Sequence, residues 1–435
     1  MDPSIFFTHS LQDPRIARIL TAALAAVDPG EAILRFLQDQ PLPPASRIFA
    51  FGLGKAAAPM TLALSRQVHL TDALIITKHA LPLDSSTSVQ KAAPPRNRIF
   101  SVIEGGHPVP NDRSLVAGQA ALNFVSSLSK DDLLVCLLSG GGSALMTAPR
   151  VSLEDMQTLT RSLLACGARI DEINTLRRHL DQVKGGGLAK ATRARVLSLI
   201  LSDVVGNPLE AIASGPTAPD PSTIADAWQV LNKYGLTDNI PAGILRALEN
   251  APETPKSGDG VFDRVQNILV GSNALAAQAA LDQAESEGFS VEFLGDNWQG
   301  EARETAQVLC ERLKKHTSKD GPLCLVAGGE TTVTLHGHGK GGRNLELALA
   351  AVLELEELKK VMLITLATDG EDGPTDSAGA VVTGETNQRA RSLGLEPAQY
   401  LSRNDSYSFF TTLEDALKIG STGTNVNDLT FLFRL

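Results

Sequence analysis

The stretch RIFAFGLGK, Arg47 to Lys55, decides the fold. Its first residues are apolar at successive positions, as in a strand buried on both faces. Two glycines interrupt the run at Gly52 and Gly54, and a helix-forming segment opens at Ala56. A strand that ends in glycines and turns straight into a helix is the repeating unit of an α/β sheet. The same pattern recurs outward along the chain. Ala73–Thr77, Ile99–Glu104, Leu133–Ser139 and Val196–Ser202 are short apolar runs. Helical spacing lies between them, for example over Ser114–Leu128. Upstream, Ile16, Ile19, Leu20, Leu24 and Val27 recur at helical spacing, and a second short helix is expected over Ala32–Leu37. The expectation is a parallel sheet with helices on both faces.

NAPETPKSGDGVF, residues 250–262, carries proline, glycine and charge without periodicity, and reads as a linker. Beyond it strands are expected at Gln266–Gly271, from Ser290, from Leu323, over Val333–Gly337, from Val361 and from Ala380. Helices are expected over Asn273–Glu287 and Glu301–Lys315. The expected domains are therefore 1–255 and 256–435. Two domains also suit a chain of 435 residues. The net charge of -10 argues against nucleic acid or an anionic membrane as the main partner. It leaves room for a small anion in a locally basic site. The four cysteines stand singly and form no zinc-binding spacing. No apolar run reaches membrane-spanning length. A cytoplasmic enzyme, monomer or homodimer, is the expectation.

Ligands of parallel α/β sheets gather at the carboxyl ends of strands. Those ends are rich in glycine and polar residues here. The first carries GLGK with Lys55, and the third carries GGHPVPND with His107. The fourth carries SGGGSA, Ser139, Gly140, Gly141, Gly142, Ser143 and Ala144, whose amides are expected to cradle an anion. The fifth carries Asp203. A helix expected over Asp171–Lys184 delivers Lys184 to a further glycine turn. In the second half GGETT holds Glu330, and TDGEDG holds Asp369, Glu371 and Asp372. GHGKGGRN puts four glycines, Lys340 and Arg343 ahead of a helix beginning near Asn344. The glycines are expected to let the backbone fold against a phosphate, with Arg343 gripping its oxygens. FGLGKAA also has the outline of a dinucleotide fingerprint, but no acid follows at the end of the second strand.

Six blocks in order resemble the MOFRL-type (class II) glycerate 2-kinases over nearly the whole chain. They are HPVPND, EINTLRRHLDQVKGG, LSDVVGNPLEAIASGPTAPDPST, GGETTVTLHGHGKGGRNLELAL, ATDGEDGPTDSAGA and STGTNVNDL. The resemblance implies an N-terminal doubly wound, Rossmann-like parallel sheet and a C-terminal mixed-sheet α/β (MOFRL) domain with an interdomain cleft. It implies ATP- and Mg²⁺-dependent phosphorylation of D-glycerate to 2-phospho-D-glycerate. The family's basic residues match Lys55 and Arg343. With phosphoryl-transfer chemistry in view, these two neutralise phosphate oxygens, Asp203 orients the glycerate hydroxyl, and Asp203 or Asp369 helps hold Mg²⁺. Ser139 to Ser143, Lys184, His107, Glu330 and Asn344 are the expected substrate and phosphate contacts. Departures from the family pattern, such as Asn207 where an aspartate is usual, sit in turns and bear on substrate preference. The rivals are an NAD(P)H-dependent hydroxypyruvate reductase, on the strength of GLGKAA, and a non-catalytic sugar-acid-binding module.

Overall fold

The computed structural model describes residues 1–78, 100–316 and 321–435. The chain divides into two compact units, and the division is not linear. The first unit contains residues 29–202 and 207–270, and the second contains 1–28, 203–206 and 271–435.

The first unit is built on six strands: β1 Arg47–Leu53, β2 Asp72–Thr77, β3 Phe100–Glu104, β4 Asp132–Leu138, β5 Arg195–Leu201 and β6 Val265–Gly271. Ile99, the expected start of β3, lies outside the described residues. The order across the sheet is β3-β2-β1-β4-β5-β6. Strands β1 to β5 are parallel, with Phe51 of β1 set between Leu74 of β2 and Cys136 of β4. Every residue of β4 is buried: Leu133–Leu138 as an unbroken apolar run requires when helices cover both faces, and Asp132 in an ion pair with Arg47. The direction of strand addition reverses between β1 and β4. The crevice at such a reversal is where α/β sheets place ligands. Here it is bounded by GLGK on one side and SGGGSA on the other.

The domain boundary expected at 255 is corrected to Val270. Strand β6, expected to open the second sheet, completes the first one. Asn267 donates to the Thr217 carbonyl at 3.0 Å and accepts from the Thr217 hydroxyl at 2.8 Å, and that hydroxyl accepts from Ser198 of β5 at 2.9 Å. The proline- and glycine-rich segment before β6 is not a free linker. Thr254 donates to the buried Asp220 carboxylate at 2.9 Å and so lies against the first unit.

Residues 1–28 belong to the second unit because the helix Pro14–Ala26 packs on the helix Asn273–Ser286. Small apolar residues, Ala17 and Ala23 on one and Ala277 and Ala280 on the other, are fully buried. The preceding segment is fastened by Asp415, which accepts from the Thr8 hydroxyl at 3.0 Å and the Ser10 amide at 2.8 Å.

The second sheet comprises β7 Ser290–Phe293, β8 Leu323–Gly329, β9 Val361–Ala367, β10 Gly379–Thr383, β11 Ala416–Leu417 and β12 Asp428–Arg434. Their order is β11-β10-β9-β12-β8-β7. Strand β12, not anticipated from the sequence, is central and antiparallel to both β8 and β9. Its first residue, Asp428, lies opposite Gly329 of β8 and Ala367 of β9. The strand expected over Val333–Gly337 does not form. That segment is a loop, held where Asn404 accepts from the His336 and Gly337 amides at 2.7 and 3.0 Å.

Candidate active site

In the first unit, the turns after β1 and β4 are hydrogen-bonded to each other. The Lys55 amide donates to Gly140 O at 3.0 Å, and Ser139 N donates to Leu53 O at 2.9 Å. The Ala56 amide donates to the Ser139 hydroxyl at 3.0 Å. These bonds fix the backbone under Lys55, whose side chain is exposed. Gly141 has φ +86, a left-handed conformation that favours glycine. A Cβ on Gly141 would lie 3.4 Å from Lys55 Cγ and 3.2 Å from the His107 ring. Lys55, His107 and Gly141, named from three separate strand ends, therefore converge. Burial, and after it the charges of Lys55 and Lys78, hold the His107 imidazole below its ordinary value. His107 is thus a neutral imidazole in a cationic setting, able to accept or donate a hydrogen bond. Lys78, at the end of β2, is a member of this set that sequence reasoning did not single out.

The SGGGSA turn is closed against a second strained turn. Ser214 donates to the Ser143 hydroxyl at 2.7 Å. Ala213 and Ser214 have φ of +50 and +60, which is unfavourable for residues with a Cβ. Two expected contacts are buried and engaged with protein here. Ser139 is 1% exposed, and its hydroxyl accepts from the Ala56 amide just ahead of the helix after β1. Lys184 is also buried, and its ammonium pairs with Asp181 at 2.6 Å and donates to the Met146 carbonyl at 3.2 Å. The helix that was to carry Lys184 spans only Ile170–His179, so Asp181 and Lys184 lie in the following turn. There they clamp the segment after SGGGSA.

In the second unit the set is built at one end of the sheet. Glu330 follows β8, Thr368 and Asp369 follow β9, and Asp428 opens β12 between them. Arg343 is the first residue of the helix Arg343–Glu354. Its Nε donates to Asp428 Oδ2 at 2.5 Å, its Nη2 to Oδ1 at 3.4 Å, and its Nη1 to Glu330 Oε1 at 2.7 Å. A cation at a helix N-terminus opposes the helix dipole. The two carboxylates offset that. Burial works against the guanidinium charge, but Asp428 and Glu330 prevail and hold Arg343 above its ordinary value. Burial pushes the Asp428 carboxyl up, against the pull of Arg343.

The glycine loop ahead of Arg343 does not fold around an open anion site. None of Gly337, Gly339, Gly341 and Gly342 has a left-handed φ. They are glycines because protein lies against them. A Cβ on Gly337 would come within 2.6 Å of the Arg403 backbone, and one on Gly339 would overlap Asp405. One on Gly341 would overlap the Ser406 hydroxyl, and one on Gly342 the Asp372 carboxyl. Gly339 N donates to Arg403 O at 2.9 Å, Tyr407 N to Lys340 O at 2.9 Å, and the Lys340 ammonium lies 4.3 Å from the Tyr407 ring centre. The expected free amides at the helix start are likewise occupied. Asp372 accepts from Asn344 N at 3.1 Å, Leu345 N at 2.8 Å and the Asn344 side chain at 3.3 Å. Asn344 is buried, and its amide and side chain are engaged by Asp372.

Asp203 follows β5 in sequence, yet residues 203–206 group with the unit that holds Arg343. Asp203 and Asp369 are both half-buried. Among the described residues no group of three or more His, Cys, Asp or Glu side chains is gathered for a metal. No described helix is long and apolar enough to cross a membrane. Asp428 was missed from the sequence. It stands near the end of the STGTNVNDL block and was not among the expected site residues.

Comparison with known proteins places this arrangement. Residues 15–249 match a family model described as a domain of unknown function (DUF4147), and residues 323–428 match the MOFRL family. The chain is 39% identical over 425 residues to the D-glycerate 2-kinase of Thermotoga maritima, covering 94% of this chain and 95% of that protein. A solved structure of glycerate kinase from Thermotoga maritima superposes with a TM-score of 0.86 at 38% identity, covering 96% of this chain and 98% of that one. A relative from Agrobacterium vitis, 36% identical over 95% of this chain and 92% of its own length, bears a provisional hydroxypyruvate reductase name.

Proposed function

The chain belongs to the MOFRL-type glycerate 2-kinase family, and from that premise we propose that it transfers the γ-phosphoryl group of ATP to the 2-hydroxyl of D-glycerate, giving 2-phospho-D-glycerate. The near-full-length match to a D-glycerate 2-kinase carries this reading. The geometry supports it, because each unit presents a cation on a fixed backbone turn at its sheet's ligand-bearing end.

The roles follow from the charge that phosphoryl transfer spreads over the moving group. Lys55, exposed above the joined turns of β1 and β4, neutralises phosphate oxygens. Neutral His107 beside it hydrogen-bonds a substrate oxygen without adding charge. The Gly140–Gly142 turn and Ser143 shape the seat for an anionic group. Arg343 has five N–H donors, of which three are engaged by Asp428 and Glu330. The remaining two, one on each Nη, are left for the oxygens of a phosphoryl group. Glu330 limits which oxygens can approach that fork. Asp203 orients the attacking hydroxyl.

Mg²⁺ is held largely by substrate phosphates and needs only one or two protein carboxylates. Asp203 and Asp369, half-buried acids that each follow a strand, suit that demand, and one of them would supply the ligand. The ion would neutralise phosphate charge. Localisation in the cytoplasm and a monomeric or homodimeric state belong to the same reading.

The test is a coupled assay of ADP release with ATP, Mg²⁺ and D-glycerate, followed by identification of the product. ADP release with 2-phosphoglycerate as product is expected. Oxidation of NADH by hydroxypyruvate, without ADP release from glycerate, would replace the kinase by the reductase. The acid that a dinucleotide site needs after β2 is missing, so no feature favours that second reading.

A further inference from the structure

Arg343 meets two carboxylates of different character. Asp428 starts the central strand of its sheet, hydrogen-bonded to β8 on one side and β9 on the other. Its own carbonyl accepts from the buried Asn273 side chain at 2.9 Å. Its side chain is 11% exposed, against 43% for Glu330. Asp428 is therefore a seat fixed by the sheet, and Glu330 a half-exposed partner. The seat takes the Nε and Nη2 edge of the guanidinium through both carboxylate oxygens. A two-point contact sets the plane and direction of the group, which a single ion pair does not.

We infer that Asp428 is the positioning residue for Arg343: it mounts the guanidinium on the sheet so that the remaining hydrogens of Nη1 and Nη2 are presented to the transferring phosphoryl group. The inference rests on the assignment of Arg343 to phosphoryl transfer. Asp428 touches no substrate in this scheme and acts only through Arg343. An arginine borne on the end of a helix has long rotameric freedom. Fixing it before the reaction places its charge where charge develops, without reorganisation at that moment.

The experiment is a double-mutant cycle on the full chain. kcat and both KM values are measured for Asp428→Asn, Asp428→Glu, Arg343→Ala and Arg343→Ala/Asp428→Asn, with thermal melting of each as a fold control. Asp428→Asn is expected to lower kcat by at least about tenfold while each KM stays within about threefold, as for a group that acts only in the transition state. In the Arg343→Ala background the same change is expected to add less than about threefold, because its target has gone. Asp428→Glu keeps the charge but moves the seat by a methylene, and a kcat loss with normal melting is expected. A wild-type kcat in Asp428→Asn and Asp428→Glu overturns the inference. So does a loss in the Arg343→Ala background as large as in the wild type, which would mark a general structural role. Wild-type turnover of Arg343→Ala alone removes the assignment of Arg343, and the inference with it, so the two failures are told apart by that single variant. If Asp428→Asn does not fold, the cycle is read with Asp428→Glu under the same criteria.

Discussion

Gly342→Ala tests whether the glycine loop is shaped by protein rather than by ligand. Gly342 has φ -136 and ψ -171, which alanine adopts freely. Backbone conformation alone therefore predicts a small gain, about 0.4–1 kcal/mol, from restricting the unfolded chain. Packing predicts the opposite. The added Cβ would overlap the Asp372 carboxyl and lie 2.6 Å from its backbone carbonyl carbon. Something must move by nearly an ångström, and the neighbour is backbone as well as side chain. Overpacking of this kind costs about 1–3 kcal/mol. Displacing Asp372 also weakens its bonds to the Asn344 and Leu345 amides, a capping interaction of about 1 kcal/mol. The net expectation is a loss of about 1–3 kcal/mol. For a unit of this size the corresponding fall in Tm is on the order of 5 °C. Differential scanning calorimetry reads it, with Gly260→Ala as the control, where a Cβ meets only Asp263 Oδ2 at 3.6 Å. Turnover is expected to fall as well, because Asp372 caps the helix that begins with Arg343. An unchanged or raised Tm in Gly342→Ala would refute the close-approach argument and return the loop to a ligand-shaped role.

Lys55→Ala is expected to lower kcat about a hundredfold, the scale of losing one charge-stabilising group, with little change in melting because the side chain is exposed; wild-type turnover removes it from the mechanism. Lys184→Met should act oppositely. It leaves Asp181 buried without its partner, so about 3–5 kcal/mol of stability is expected to go while the KM values of the folded fraction persist; a stable protein with a raised KM would restore Lys184 as a substrate contact. Burial pushes Asp372 up to about 6 from 3.8, against the amide of Leu345 and with the charge of Asp428. The folded chain then keeps a proton that the unfolded chain has lost. The associated stability is fully present below about pH 4 and disappears as pH rises through about 6, on the order of 3 kcal/mol in all. Melts of wild type and Asp372→Asn across pH 4–7 should converge or cross in that window; a difference independent of pH would contradict it.

Much of the first sheet could be read from residues alone. RIFAFGLGK, LLVCLLS and VLSLILS are buried on both faces, and a strand of that kind has few alternatives. The convergence of Lys55, His107 and the SGGGSA turn was legible for the same reason. All three follow parallel strands, and parallel strands bring their carboxyl ends together. Where reading failed, partners distant in sequence were responsible. DLTFLFR forms the middle of the second sheet, but its place depends on β8 and β9, roughly 60 to 110 residues upstream. The linker-like composition of 250–262 is accurate as composition. It did not show that the chain would return to the first sheet as β6.

GHGKGGRNLELAL separates the two kinds of information most clearly. The sequence by itself determined that a helix starts near Arg343, that the segment before it requires residues without Cβ, and that two cations stand there. Glycine reports only that space is short or that φ is unusual; it does not say what fills the space. Tertiary structure decided that the filling is Arg403, Asp405, Ser406 and Asp372, and that the first helix amides go to a carboxylate. It also decided that Arg343 is seated on Asp428, a residue 85 positions away. Charge and backbone freedom are properties of a residue and can be read singly. Which atom meets a guanidinium, or occupies the place of a missing Cβ, depends on strands and turns brought together by the whole sheet.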